Sequence, residues 1–330
     1  MKKKLDDIKK LDIAECFADN CKNDSGGEFW QNYNTLKVED IEANDFSIYY
    51  SSRYPDIRSL PDPDACSERL YEAHGLLWKK QKELSAFENV ADVDIYKKSI
   101  WLKEPSIELS SDSFVSIYWH WKSMKTVISK VQEDTNRIEK ENDNLIEKLN
   151  KLVITDKCSD KEFSLYKKFI GHYLQYANTI GGFIVFPKIS NSINVRRGNR
   201  YGSIKDRFDL TLECIRRAYQ QEYFDDKKDN PLFGISKEEK AFFRMFGSFE
   251  KYTEFFCLNK SWVENGKVLN LLYDKNKDKT ERNVKTLDEW DFNQQEPLPQ
   301  DSTEWWTFYD NIMSHLKARN QQIKEVIERK

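Results

Sequence analysis

The stretch Ile180-Gly181-Gly182-Phe183-Ile184-Val185-Phe186-Pro187 organises the reading of this chain. Phe183 to Phe186 are apolar without a break, rich in β-branched and aromatic side chains, and closed by Pro187. A run that short fits a strand buried on both faces. The paired glycines end the helix expected before it. That helix runs from about Asp160 to Ala177, with Phe163, Tyr166, Phe169, Ile170 and Tyr173 as its apolar stripe.

A buried strand needs a core, and the composition provides one. The 330 residues are 39% hydrophobic and 14% aromatic. Global disorder is thereby excluded despite 33% charged residues. The net charge of −3 excludes a whole-molecule polyanion trap, so any phosphate or nucleic-acid site must be a local patch. Six cysteines occur without a C-x-x-C pair, which points to free thiols in a reducing compartment. No apolar run reaches signal-peptide or bilayer-spanning length. The expectation is a cytoplasmic protein with no membrane contact.

Upstream of the strand, residues 1–44 read as an N-terminal arm, with a weakly amphipathic helix over Lys4 to Asp19. Residues 45–330 read as the main domain. Ser67 to Leu84 is helical by pattern. Asp92 to Leu102 alternates like a strand, and Ser106 to Leu109 is a second candidate. Ser110, Ser111 and Asp112 look like N-cap residues for a long helix over 113–152. In it Met124, Val131, Ile138, Leu145 and Leu152 recur every seven residues. Such a seam packs on its own domain or forms a homodimer through 124–152. Downstream, Asp206 to Tyr223 and Lys237 to Cys257 read as helices. Trp262-Val263 and Val268 to Tyr273 flank an Asn-Gly turn, a hairpin signal. Residues 274–301 are charged and irregular, and a last helix covers Ser302 to Arg329. The fold class is α+β, mainly helical, with one main domain, a small sheet and a long heptad-patterned helix.

The densest chemistry follows the strand. The loop Asn191 to Lys205 carries Arg196, Arg197, Arg200 and Lys205 and no acid. Strand, glycine-containing loop and helix N-terminus is an order in which many proteins hold anions. The next helix reads Asp206-Arg207-Phe208-Asp209-Leu210-Thr211-Leu212-Glu213-Cys214-Ile215-Arg216-Arg217. Phe208, Leu212, Ile215 and Tyr219 share one face and are assigned to the core. Asp206, Asp209, Glu213 and Arg216 share another. In the functional reading, Asn194, Arg197, Arg207 and Arg216 bind a phosphate-bearing ligand, a nucleotide or RNA. Asp209 and Glu213 are then the candidate catalytic carboxylates, as general base, as metal ligands or as orienters of the arginines. In the alternative, the same charges form an internal salt-bridge network in a non-catalytic interaction protein. No Walker or dinucleotide fingerprint separates the two. The reaction type and any cofactor stay unknown at this level.

Around these residues the chain is similar to an uncharacterised bacterial family, a domain of unknown function. The resemblance rests on Ile180-Gly181-Gly182-Phe183, Phe186-Pro187, Ser192-Ile193-Asn194 with Arg197-Gly198, and Ile204 through Arg217. Weaker echoes fall at Asp62 to Trp78, Ser110 to Asp112 and Arg319-Asn320. Members of that family often carry a His at the position of Ala218. The resemblance implies a shared pattern and no particular chemistry.

Elsewhere the signals are bland. His74, His120, His172 and His315 show no metal-ligand spacing, so no metal site is expected. No G-x-S-x-G occurs. Trp305 and Trp306, with Phe308 and Tyr309, read as core.

Overall fold

A computed structural model of the chain describes residues 11–15, 17, 63–97, 99–114, 176–188, 207–220, 236–292, 294–297, 299–300 and 302–329. Helix accounts for 46% of them. The strands form two small antiparallel sheets, so the fold is α+β and mainly helical. The expected heptad helix over 113–152 lies almost wholly outside the described residues, as do His120 and His172.

The first long helix, α1 (Glu68–Lys82), starts where Ser67 accepts a hydrogen bond from the Leu70 amide, 3.1 Å away. Lys79, Lys80 and Lys82 sit at its C-terminal end, where cations suit the helix dipole. The first sheet has the order β1 (Val93–Ile95), β2 (Ile100–Leu102), β3 (Ile107–Ser113), β4 (Phe183–Pro187). All five residues of β4 are buried, as its unbroken apolar sequence requires.

Two expectations around this sheet are corrected. Asp92 to Leu102 is two antiparallel strands rather than one, reversed where the Tyr96 amide donates to the Ser99 carbonyl at 2.9 Å. Period-two alternation reads the same in one strand or two, so it misses the reversal. Ser110, Ser111 and Asp112 are not helix caps but strand residues, paired with Phe186, Val185 and Ile184. A buried β4 needs its amides and carbonyls bonded. The neighbouring β3 bonds them whatever its side chains prefer.

Helix α2 (Phe208–Gln220) follows, then α3 (Lys237–Arg244) and α4 (Phe249–Phe255). The sequence suggested a single helix over Lys237 to Cys257. The chain instead breaks at Gly247, whose φ of 77° lies in the left-handed region, and restarts with Ser248 as N-cap. Strands β5 (Val263–Glu264) and β6 (Lys267–Val268) form the hairpin expected at Asn265-Gly266, both with positive φ. The final helix α5 (Ser302–Glu328) crosses the molecule.

The main core is aromatic. Trp78 meets Phe255 edge-on at 4.8 Å between ring centroids, and Phe242, Phe246, Tyr252 and Phe256 close around them. Each ring buried this way contributes roughly 1.5–3 kcal/mol. A second cluster joins Leu11 and Phe17 to Leu70, Ile180, Phe183, Cys257 and Ile323. Part of the N-terminal arm is thus packed into the body. Residues 11–15 form a turn there, not the helix expected over Lys4 to Asp19.

Candidate functional site

Helix α2 runs through the centre of the molecule. Phe208, Leu212 and Ile215 are buried, as their shared face predicts, and Tyr219 is half-buried. The polar face is buried too. Arg207, Asp209 and Glu213 are each 0% exposed, and Arg216 is 7% exposed.

These charges pair among themselves. Arg207 grips Asp209 with two hydrogen bonds, Nε to Oδ1 at 2.9 Å and Nη2 to Oδ2 at 2.8 Å. Its Nη1 donates to the Pro297 carbonyl, and its guanidinium faces the Trp290 ring at 5.4 Å. Asp209 Oδ2 also accepts the Leu271 amide at 3.0 Å. One turn on, Glu213 accepts two bonds from Arg216, at 2.7 and 2.8 Å. It also accepts Arg217 Nε at 2.6 Å, in the i,i+4 orientation visible in the sequence. The Glu213 hydrogen bond leads the causes holding the Arg216 pKa above its usual value. Arg217 reaches onward to the carbonyls of Leu287 at 3.1 Å and Trp290 at 2.8 Å.

The consequence is a clamp. Residues 271–297 have almost no regular structure, yet their backbone is tied to α2 by Asp209, Arg207 and Arg217. Bidentate arginine–carboxylate pairs suit this use because their planar geometry sets direction as well as charge.

A second polar centre lies at α5. Arg319 is 1% exposed and bonds no carboxylate among the described residues. Its Nε donates to the Phe256 carbonyl at 3.0 Å. Its Nη1 donates to the carbonyls of Gly181 at 2.9 Å and Phe183 at 2.6 Å. The Phe114 ring lies 4.9 Å from its guanidinium carbon. Burial lowers its pKa to about 10. The neighbouring Asn320 accepts the Gly181 amide at 2.7 Å. A Cβ at Gly181 would stand 2.3 Å from that Asn320 oxygen, and one at Gly182 would stand 1.9 Å from the Ala177 carbonyl. The paired glycines therefore permit close approach; the helix expected before them, over Asp160 to Ala177, lies almost wholly outside the described residues.

Two histidines, His74 buried and His315 half-buried, flank these centres. His74 Nε2 lies 3.0 Å from Ser111 Oγ; burial and then the charge of Arg319 lower its pKa from 6.5 to about 3. His315 stacks on Trp262 at 5.0 Å, and burial, opposed by Asp209, lowers it to about 4.

Of the sequence candidates, the structure brings together Arg207 with Asp209 and Arg216 with Glu213. Asn194 and Arg197 lie outside the described residues, with Arg196 and Arg200. Sequence reasoning missed Arg319 as a tie-point; Arg319-Asn320 carried only a faint echo of the family resemblance. It also missed Asn270 and Asn283. Among the described residues no group of three or more His, Cys, Asp or Glu side chains could hold a metal ion. No helix among them is long and apolar enough to cross a membrane.

A family model described as "Family of unknown function (DUF6994)" matches residues 45–148 and 141–323. The chain belongs to this family. Both polar centres lie inside the matched stretches: the α2 network and the Arg319–Gly181 contact fall within 141–323. No curated protein and no solved structure matches the chain, so membership in DUF6994 brings no activity with it.

Proposed function

We propose that this DUF6994 member is a non-catalytic interaction protein, and that the arginine–carboxylate network of α2 is structural. The carrying observation is that Asp209 and Glu213, the candidate catalytic carboxylates, are fully buried with both oxygens of each engaged by arginine. A general base must come within hydrogen-bond reach of a substrate proton. Arg207 and Arg216 are committed in the same way. On this reading the heptad segment 124–152 is the element that recruits a partner or a second copy. The setting is the bacterial cytoplasm, supported by Cys257, a buried thiol that accepts a hydrogen bond from Gln81 and forms no disulfide.

A second reading keeps a phosphate-bearing ligand, a nucleotide or RNA, at the loop before α2. What favours it is the loop's charge: Arg196, Arg197, Arg200 and Lys205 with no acid over 191–205. Asn194 and Arg197 would then make the contacts without Arg207 or Arg216.

The two are separated by measuring stability and nucleotide binding on the same variants. For the structural reading, Asp209→Asn lowers unfolding stability by about 3 kcal/mol, because a buried arginine loses its counter-charge. Neither Asp209→Asn nor Arg197→Ala then changes the thermal response to nucleotides. A nucleotide-induced stabilisation that disappears in Arg197→Ala, with no change in fold, would establish the second reading instead.

A further inference from the structure

A groove of about 370 Å3 lies beside the β5–β6 hairpin, lined by Lys267, Lys277, Lys279 and Lys285 with Tyr273 on one wall. Asp288 and Glu289 are the acids of its lining, so positive charge is in excess. Lys267 is held by Asp288 at 2.7 Å, and Lys285 by Glu264 at 2.5 Å. Lys277 and Lys279 are exposed and have no acidic partner among the described residues. They are the free cations of the groove.

The loop that presents them is built rather than loose. Asn283 is buried at 7% exposure, and its amide nitrogen donates to the carbonyls of Asp274, Lys277 and Asp278 at 3.0, 3.1 and 3.0 Å. Its oxygen accepts the Asp274 amide at 2.7 Å. Asn270 ties the returning segment in the same way, donating to the carbonyls of Arg282 and Val284, both at 2.9 Å. One side chain thus gathers the loop 274–278, and the backbone under Lys277 is among the groups it holds.

We infer that this groove binds a small anion bearing more than one phosphate. The volume sits at the lower end of the roughly 300–1,000 Å3 usual for small-molecule sites. A half-open groove of that size suits a compact polyanion better than an extended peptide or RNA strand. Lysines are compact point charges that surround phosphate oxygens without the planar pairing that arginine makes with carboxylates. The inference goes beyond the proposed function and uses none of the residues of α2 or of the loop before it.

The test is calorimetric titration of the full chain with inorganic tripolyphosphate and with ADP at fixed ionic strength. The wild type is expected to bind, and Lys277→Gln combined with Lys279→Gln to weaken binding about tenfold, the scale of two exposed charge-assisted hydrogen bonds. Both positions are exposed, so unfolding stability should stay unchanged and serves as the control. Arg197→Ala should bind like the wild type. Absence of binding in the wild type overturns the inference. So does equal binding by the double variant, or a loss seen in Arg197→Ala alone. Binding of a poly-glutamate peptide as tight as that of tripolyphosphate overturns the choice of phosphate.

Discussion

Arg319 shows how one buried cation can be held without an acid. Its partners are backbone carbonyls from three places: the turn at Ile180–Gly182, the start of β4, and the end of α4. Carbonyl oxygens carry partial negative charge, and several together offset part of what burial costs the guanidinium. Arg319→Met keeps much of the volume but leaves those carbonyls without a donor. Urea unfolding should show a loss of about 3 kcal/mol or more. Arg319→Lys should recover only part of it, since an ammonium cannot span carbonyls set in a planar fork. A loss under about 1 kcal/mol in the Met variant would mean the contacts contribute little beyond packing.

At the scale of elements, ends are decided by single residues. Ser236 caps α3 with a full capping box: its hydroxyl accepts the Glu239 amide at 3.1 Å, and Glu239 accepts the Ser236 amide at 3.3 Å. Gly247 then stops the helix in a conformation that costs an L-residue about 1 kcal/mol. Nothing lies within 4 Å of a Cβ built there, so Gly247→Ala tests backbone strain alone. The expected loss is about 1 kcal/mol by denaturant midpoint, with no change in m-value. The break also turns α4 so that Tyr252, Phe255 and Phe256 all reach the aromatic core. Helical periodicity across Lys237 to Cys257 is good on both sides of the glycine, and for that reason it hides the break.

For the whole molecule, two histidines set an acid limit. His74 and His315 have folded pKa values lowered to about 3 and about 4, against 6.5 unfolded. Burial is the first cause in both. Arg319 adds to it for His74, and Asp209 opposes it for His315. Between pH 6.5 and those values the unfolded chain takes up protons that the folded chain refuses. Stability from these groups is therefore fully present above pH 6.5 and declines as pH falls toward 4 and then 3. Unfolding free energy measured from pH 7.5 to 4.5 should fall steadily below about pH 6.5. The slope should shrink in His74→Gln and in His315→Gln. An unchanged slope in both variants would assign the acid sensitivity to other groups.

Much of the fold was legible along the chain because its signals are local. The apolar run Phe183 to Phe186, the Asn265-Gly266 turn and the core face of α2 are each decided within a few neighbouring residues. A resemblance to an uncharacterised family was legible as well, and a family model of unknown function matches 45–148 and 141–323. The α2 charges were legible as a cluster, but their use was not. Asp209 and Glu213 have the same spacing whether they face a ligand or a buried arginine. Residues 271–297 decide between these, and they come from far along the sequence to cover the helix. The same holds for Ser110 to Asp112, whose local preference for a cap yields to the unpaired edge of β4. Periodicity determines which face of an element is apolar. Only tertiary packing decides whether the opposite, polar face meets water or other protein. In this molecule it meets protein, because α2 passes through the core and its charges must find partners inside it.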